Sequence, residues 1–204
     1  MHYDEISMGG AMAGVQARLL NTALYAVCAV ALVASGVTSA GAANATSFRV
    51  QSLKEIREHA VVMQRWETSC AAASLATVLT YAFQDPVSER QVAAKMLNKT
   101  EPAKVRARGG FSLLDMKRFV EERGYSGEAY KHLSFDDLKL FRAPIVPIRV
   151  HGFNHYVVLN AITDREVLLA DPAFGNRAMP LARFEKAWLD GLAFVVTPES
   201  RTAP

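Results

Sequence analysis

The sequence has only two cysteines, Cys28 and Cys70, among its 204 residues. No Cys-x-x-Cys pair is present, which excludes the usual cysteine-based zinc sites. His151 and His155 are four residues apart, but they flank a predicted turn at the start of a strand, where this spacing does not direct two side chains onto one ion. We therefore predict neither a metal nor a cofactor.

An excess of charge of one sign is also absent. The chain has 23 Lys and Arg against 20 Asp and Glu, a formal net charge of +3, and no run of basic residues. This balance does not predict a nucleic-acid partner. The phosphate-binding pattern Gly-x-x-x-x-Gly-Lys-Ser/Thr is missing, so ATP binding is not predicted either. Half of the residues are hydrophobic, which is enough for one globular domain.

The N-terminus has the organisation of a secretory signal peptide. Arg18 precedes an apolar run from Leu19 to Val37, which passes into small residues that contain two Ala-x-Ala sites. We predict a signal peptide over residues 1–42, and a start at Met8 or Met12 would give it a more ordinary N-terminal region. The alternative is an uncleaved membrane anchor, since the apolar run is nearly long enough to span a bilayer.

Cleavage near Ala42 would remove Cys28 and leave Cys70 as the only thiol of a periplasmic or secreted protein. One cysteine cannot form an internal disulfide, and a lone thiol in an oxidising compartment favours a chemical use. We divide the remaining chain into an N-terminal arm (43–60), a single domain (61–198) and a short tail (199–204).

Hydrophobic periodicity predicts helices in the first half of this domain and strands in the second. An extended arm or strand is expected over 48–63, and a long polar loop over 98–110. Helices are expected over residues 70–83, 88–97, 112–124, 135–141 and 182–188, and strands over residues 125–131, 144–150, 156–162, 167–170 and 192–196. Helices followed by an antiparallel sheet are typical of an α+β fold, with the Cys70 helix packed on the sheet.

Cys70 is predicted to lie in the first turn of its helix. Thr68 and Ser69, which precede it, are typical helix-capping residues. The positive end of a helix dipole favours a thiolate over a thiol, as a nucleophile requires. The alternative is a small buried cysteine on an alanine-rich core helix.

His155 and Asp171 are the candidate partners of this cysteine. His155 opens one predicted strand and Asp171 ends the next, so a hairpin would place them side by side at one edge of the sheet. A carboxylate there can hold one imidazole nitrogen while the other faces a nucleophile. Gln64, on the turn that leads to Cys70, is a candidate donor to an oxyanion. The alternatives are that His155 is a hydrogen-bonded histidine at a strand end, that Asp171 is a turn residue before proline, and that Gln64 is exposed to solvent.

Taken in order, these residues resemble the papain-like cysteine peptidases, and more narrowly the bacteriocin-processing family that cleaves leader peptides after a double glycine. The resemblance covers roughly residues 61–196. It rests on Gln64 six residues before Cys70 and on four further segments, Ala73–Leu79, Gly110–Lys117, His155–Leu159 and Asp171–Gly175.

The resemblance implies a papain-like α+β fold in which Cys70 is the nucleophile, His155 the general base and acid, Asp171 the residue that orients His155, and Gln64 the oxyanion donor. Three residues beside these four are expected to contact substrate: Trp66, Ala71 and Asn154. For Trp66 the alternative is core packing. Ala71 departs from the glycine that the family usually has after the cysteine, and it would narrow the site.

The usual family member is the front domain of an ABC exporter, but this chain has no multi-span membrane segment. It more closely resembles stand-alone exported members, some of which accompany functional-amyloid secretion in Gram-negative bacteria. We therefore expect an exported thiol peptidase that acts on a secreted peptide or protein, such as an amyloid-type subunit, at a double-glycine or small-residue site. The alternatives are a peptidase-like binding module that does not cleave, and another thiol hydrolase, either transglutaminase-like or a cell-wall amidase.

Overall fold

The fold is that of a computed structural model, which describes residues 50–199. The predicted signal peptide (1–42), residues 43–49 of the predicted arm (43–60) and the tail beyond residue 199 lie outside the described residues. Within residues 50–199, no helix is long and apolar enough to cross a membrane.

The first half of the described chain is helical. Its elements are α1 (Leu53–Glu58), α2 (Cys70–Thr77), α3 (Glu89–Leu97), α4 (Pro102–Arg108) and α5 (Leu113–Glu121). Helix α2 continues as a π-helical turn, Val78–Ala82, so its predicted extent to Phe83 is confirmed. Capping boxes begin three helices: Ser88 with Gln91, Ser112 with Asp115 and, further on, Ser134 with Asp137.

Two predictions for this half are wrong. The strand or extended arm expected over 48–63 is not found over its described part, residues 50–63, because Ser52 and Glu55 form a capping box that begins α1, a helix with no buried residue. The expected loop over 98–110 contains α4, which has a proline in its first turn and ends at Gly109 in the left-handed conformation. Polar composition concealed both helices, since neither has a wide apolar face.

The second half forms one antiparallel sheet of six strands. Its elements are β1 (Tyr125–Tyr130), α6 (Phe135–Lys139), β2 (Ile145–Val150), β3 (Phe153–Ile162), β4 (Glu166–Asp171), β5 (Gly175–Pro180), α7 (Leu181–Ala187) and β6 (Ala193–Pro198). The strand order is β1-β6-β2-β3-β4-β5, so the last strand lies between the first and the second. The predicted hairpin between β3 and β4 is confirmed, whereas β5 was not predicted, because its sequence GNRAMP has no β-branched residue.

The sheet has a buried cluster on each side. Helices α2, α3 and α5 contribute to the first cluster, in which Leu75, Met116 and Phe194 are almost completely buried. The second is built from residues of α6, α7 and the opposite sheet face, with Phe184 at its centre and Trp188 stacked beside it. Helix α2 is therefore packed directly against the sheet, as predicted, and Ser74 Oγ donates to the carbonyl oxygen of Tyr156 at 3.1 Å.

Candidate active site

Cys70 is the first residue of α2 and is 4% exposed. Ser69 is the N-cap residue, but its side chain makes no capping hydrogen bond to the helix, so the predicted side-chain cap is wrong. The Ser69 hydroxyl instead lies 2.5 Å from Glu89 Oε1 and 2.7 Å from the carbonyl oxygen of Trp66. The serine therefore stabilises the turn ahead of Cys70 rather than the helix that follows.

Glu89, which sequence reasoning missed, is the anchor of this turn. It lies in the first turn of α3, is 3% exposed, and its Oε1 accepts hydrogen bonds from Ser69 Oγ and from the backbone N–H of Arg65 at 2.8 Å. The only sequence signal was that Glu89 directly follows Ser88, the N-cap residue of a capping box. An acidic residue is common at that position, so its burial could not be predicted. A buried carboxyl group thus fixes the path of the chain just before the cysteine.

Gln64 is at the start of the same turn. Its backbone N–H donates to the carbonyl oxygen of Pro172 at 2.8 Å, which ties the turn to the segment after Asp171. Its side-chain Nε2 donates to the carbonyl oxygen of Trp66 at 3.1 Å, while its Oε1 is buried and has no hydrogen-bond partner among residues 50–199. The amide group is therefore only partly satisfied.

The structure brings His155 and Asp171 into contact. His155 Nε2 lies 2.7 Å from Asp171 Oδ1, which leaves Nδ1 as the ring nitrogen available to Cys70. Burial alone would lower the pKa of His155, but hydrogen bonds to Asp171 and Cys70 and the negative charges of both groups outweigh it and raise the pKa to about 9. At neutral pH the His155 imidazole is therefore protonated, and its positive charge lies between the Cys70 thiol and the Asp171 carboxylate.

Asp171 is completely buried and fully hydrogen-bonded. Besides His155, its Oδ1 accepts from the backbone N–H groups of Ala173 at 2.9 Å and Phe174 at 3.3 Å, and its Oδ2 accepts from Arg177 Nε at 2.8 Å. Burial opposes ionisation, but the hydrogen bond and charge of His155, with the contributions of Ala173 and Arg177, hold the pKa of Asp171 below its ordinary value. The carboxylate is thus an ionised, oriented acceptor.

The chain around α1 supports the segment that follows Asp171. Arg57 Nη2 donates to the carbonyl oxygen of Phe174 at 2.6 Å, and Asn176 Nδ2 donates to the carbonyl oxygen of His59 at 2.6 Å. Gly175 has φ +78°, and a Cβ atom there would lie 2.5 Å from the Arg57 carbonyl oxygen. Only glycine fits this close approach, which joins the N-terminal arm to the aspartate loop.

The three residues expected to contact substrate differ in position. Trp66 is half exposed, whereas Ala71 is completely buried in the core beneath the cysteine. Asn154 is exposed, and its Oδ1 accepts from Arg149 at 3.3 Å. Trp66 borders a groove of about 390 Å³ beside the start of α2, whose apolar lining includes Ala93, Leu97, Val105 and Phe111.

Tyr156, next to His155, also faces the cysteine. Burial and the negative charge of Cys70 raise the pKa of Tyr156 to about 12. Across residues 50–199 there is no group of three or more His, Cys, Asp or Glu side chains placed to hold a metal ion. The reactive groups that the structure brings together at this site are a thiol, an imidazole and a carboxylate.

These residues and this fold resemble those of papain-like peptidase domains, and residues 58–201 match the Peptidase C39 family. The chain belongs to the Peptidase C39 family. Two curated relatives are both called "Probable functional amyloid protease FapD". The Pseudomonas aeruginosa protein is 38% identical over 149 residues, and the Pseudomonas fluorescens protein is 35% identical over 152 residues. The alignments cover 72% and 74% of this chain but only 65% and 66% of the relatives' own length.

Solved structures confirm the predicted α+β, papain-like fold. The peptidase domain of Streptococcus ComA, a bifunctional ABC transporter involved in quorum sensing, superimposes with a TM-score of 0.58 at 22% identity, over 68% of this chain and 97% of that domain. A double glycine motif protease from an AMS/PCAT transporter, solved in complex with the leader peptide, gives a TM-score of 0.54 at 26% identity. The match covers 68% of this chain and 90% of that protease. The expected resemblance to double-glycine peptidases is thereby confirmed.

Proposed function

We propose that this protein is a cysteine peptidase that hydrolyses peptide bonds by a Cys-His-Asp mechanism, with Cys70 as nucleophile, His155 as general acid and base, and Asp171 as the residue that orients His155. The observation that carries the proposal is the 2.7 Å contact between His155 Nε2 and Asp171 Oδ1, and it is supported by the effect of the nearby Cys70, which helps to raise the pKa of His155. A nucleophile, a base and an orienting carboxylate in one row are what thiol catalysis requires.

In the first half of the reaction, the Cys70 thiolate attacks the scissile carbonyl carbon and forms a C–S bond as the carbonyl electrons move to oxygen. The backbone N–H of Cys70 and the side-chain amide of Gln64 stabilise this oxyanion. Gln64 Nε2 carries two hydrogens and uses one on Trp66, so the second is free for this purpose. His155 then donates its proton to the leaving amine as the C–N bond breaks, which leaves a thioester on Cys70.

The second half restores the enzyme. His155, now neutral, takes a proton from water while the water oxygen attacks the thioester carbonyl. Collapse of this intermediate breaks the C–S bond, releases the carboxylic acid product and leaves the Cys70 thiolate beside protonated His155. Asp171 accepts the Nε2 hydrogen bond throughout and fixes the ring so that Nδ1 faces the sulfur.

The proposed substrate is a secreted peptide or protein with a double-glycine or small-residue cleavage site, such as an amyloid-type subunit. The name of the FapD relatives and the leader-peptide complex of the double glycine motif protease support this class. The apolar groove bordered by Trp66 supports it as well, since it would receive an apolar side chain of the bound peptide close to Cys70. Asn154, which is exposed, completes the proposed contacts, whereas Ala71 is completely buried and is left out of them.

Export to the periplasm or the medium is part of the proposal and rests on the sequence of residues 1–42. N-terminal sequencing of the protein from a periplasmic fraction checks it. A mature N-terminus near residue 43 is expected, and a full-length protein in the membrane fraction would instead support the anchor.

The decisive test of function is incubation of the purified protein with a peptide that carries a double-glycine site, followed by mass spectrometry. We expect cleavage after the glycine pair by the wild type and none by Cys70→Ala. Asp115→Asn is the control, because Asp115 is as buried as Cys70 but serves the start of α5, and this variant should lose stability rather than turnover. A Cys70→Ala variant that still cleaves would refute the mechanism.

The same assay separates the alternatives. A binding module would retain the peptide without cutting it, in the wild type and in Cys70→Ala alike. Another thiol hydrolase would leave the peptide intact and release products from peptidoglycan fragments or transfer an acyl group to an added amine. The mass spectrum distinguishes these outcomes by which products are present, so no rate has to be measured.

A further inference from the structure

Arg177, on β5, lies behind the catalytic aspartate. Its Nε donates to Asp171 Oδ2 at 2.8 Å, and its Nη2 is at 2.8 Å from the same oxygen, outside hydrogen-bonding geometry. Its Cζ atom is 5.5 Å from the centre of the Phe174 ring, which covers the guanidinium from the turn between β4 and β5. The arginine is one quarter exposed, while the carboxylate that it contacts is fully buried.

Four side chains therefore form a row from the helix end to the edge of the sheet: Cys70, His155, Asp171 and Arg177. When the proton of the thiol resides on the imidazole, their charges alternate as negative, positive, negative and positive, and their sum is zero. Without the arginine the row would have a net negative charge around a carboxylate that water does not reach. Burying such an uncompensated charge is unfavourable, so the arginine stabilises the form in which the sulfur is ionised.

We propose that Arg177 is a positioning residue that acts through Asp171 and sets the pH range over which the Cys70 thiolate and the His155 imidazolium coexist. This inference rests on the proposed Cys-His-Asp mechanism. It assigns a role to Arg177 on β5, a residue that is not one of the three proposed catalytic residues Cys70, His155 and Asp171. Arg177 touches Asp171 and not the sulfur, so its effect is on the charge balance of the row rather than on a step of the reaction.

Other charged and titratable groups face this row from neighbouring elements. Tyr156 on β3 is within electrostatic range of Cys70, and Arg108 on α4 and Asp115 on α5 act on the same tyrosine. Glu89 on α3 binds the turn next to the cysteine. All four stay in place when Arg177 is replaced, so they provide a constant background against which its own contribution can be measured.

The test is the rate of alkylation of Cys70 by iodoacetamide as a function of pH. The thiolate displaces iodide, so one C–S bond forms and one C–I bond breaks without any peptide substrate, and the rate reports the ionised sulfur. Loss of the positive charge makes removal of both the thiol proton and the imidazolium proton less favourable. In Arg177→Gln we expect the rise of the alkylation rate to move to higher pH, with alkylation about tenfold slower at pH 6 and within about twofold of the wild type at pH 9.

Two comparisons make the result specific. Arg183→Gln removes the same charge from an exposed position on α7 and should leave the midpoint of the profile unchanged. Arg177→Lys keeps the charge without the planar fork and should keep the wild-type midpoints even if turnover falls. Should Arg177→Gln fail to fold by circular dichroism, Arg177→Met provides an apolar chain of similar length for the same measurement.

The inference is wrong if the Gln or Met variant gives the same midpoints as Arg183→Gln, or if its rate falls equally at all pH values, as a purely structural role predicts. Since alkylation needs no substrate, that outcome leaves the peptidase proposal untouched. Conversely, a wild type that cleaves no peptide but shows the expected shift would refute the proposed function and retain the role of Arg177.

Discussion

Replacing Glu89 with alanine should weaken both the fold and the activity, although Glu89 touches no proposed catalytic atom. The change removes the acceptor of two hydrogen bonds, 2.5 Å from Ser69 Oγ and 2.8 Å from the backbone N–H of Arg65. The Ser69 hydroxyl can still donate to the carbonyl oxygen of Trp66, 2.7 Å away, so only the Arg65 N–H loses its partner.

The size of the effect follows from this inventory. The Arg65 N–H is only partly buried, so the loss of its partner costs about 1 kcal/mol, and the void left by the missing side chain adds about 1 kcal/mol. We therefore expect a loss of ~2 kcal/mol in the free energy of unfolding. Urea denaturation at neutral pH measures it. Glu89→Gln keeps a carbonyl acceptor and should lose about 1 kcal/mol. Because the turn leads directly to Cys70, kcat/KM of folded Glu89→Ala should fall about tenfold or more.

Glu122→Ala is the matched control, since Glu122 is a surface glutamate whose partners are Lys95 and Lys99. It should leave the urea midpoint and kcat/KM nearly unchanged, as exposed ion pairs contribute little. If Glu89→Ala is no less stable than Glu122→Ala, or if it keeps wild-type kcat/KM, the anchoring role assigned to Glu89 is refuted.

Three further predictions concern the aspartate, the histidine and the loop behind them. Asp171→Asn removes the charge that favours the imidazolium, so the pKa of His155 should fall and the alkaline limb of the activity profile should move to lower pH, with about a tenfold loss of kcat. In the wild type, the pKa of His155 is raised from 6.5 to about 9, so its contribution to stability should be complete below pH 6.5 and disappear as the pH rises through about 9. Free energies of unfolding measured at several pH values test this, and constant values over that interval would disprove it. Gly175→Ala should lose ~2 kcal/mol or more, because its Cβ atom would meet the Arg57 backbone; Gly124→Ala, at φ +82° with nothing within 4 Å, should lose clearly less in the same denaturation assay.

Much of the site's framework could be predicted because it depends on local pattern. A cysteine after a polar turn and before an apolar helical period begins a helix, and a hairpin brings a strand start beside a strand end. The structure accordingly places Cys70 at the start of α2 and brings His155 and Asp171 into contact. These inferences needed only the order of apolar and turn residues.

The supporting residues could not be predicted, because their role arises from contacts between distant parts of the chain. Glu89 is 20 residues from Ser69, and nothing in the sequence near either residue indicates that they meet. Arg177 lies on β5, whose residues have weak strand propensity, and it pairs with Asp171 only because that hairpin forms. Local propensity contains no information on which polar groups tertiary packing will bury together.

Helix α1 is a further element that hydrophobic periodicity could not predict. Its exposed apolar residues, Leu53 and Ile56, gave no clear helical face, and it is fastened by polar contacts to the aspartate loop instead of by burial. A capping box was the available signal, at Ser52 and Glu55. Capping patterns deserve as much weight as hydrophobic periodicity in short polar helices.

The position of β6 between β1 and β2 has a consequence for the order in which the molecule is made. Chains emerge from the ribosome N-terminus first, and domains generally fold as units. Residues 193–198 must therefore arrive before the sheet becomes continuous, and β1 must wait for a neighbour that is synthesised about 70 residues later. Cys70, on α2, is therefore synthesised long before the six-stranded sheet that holds His155 and Asp171 can be completed by residues 193–198.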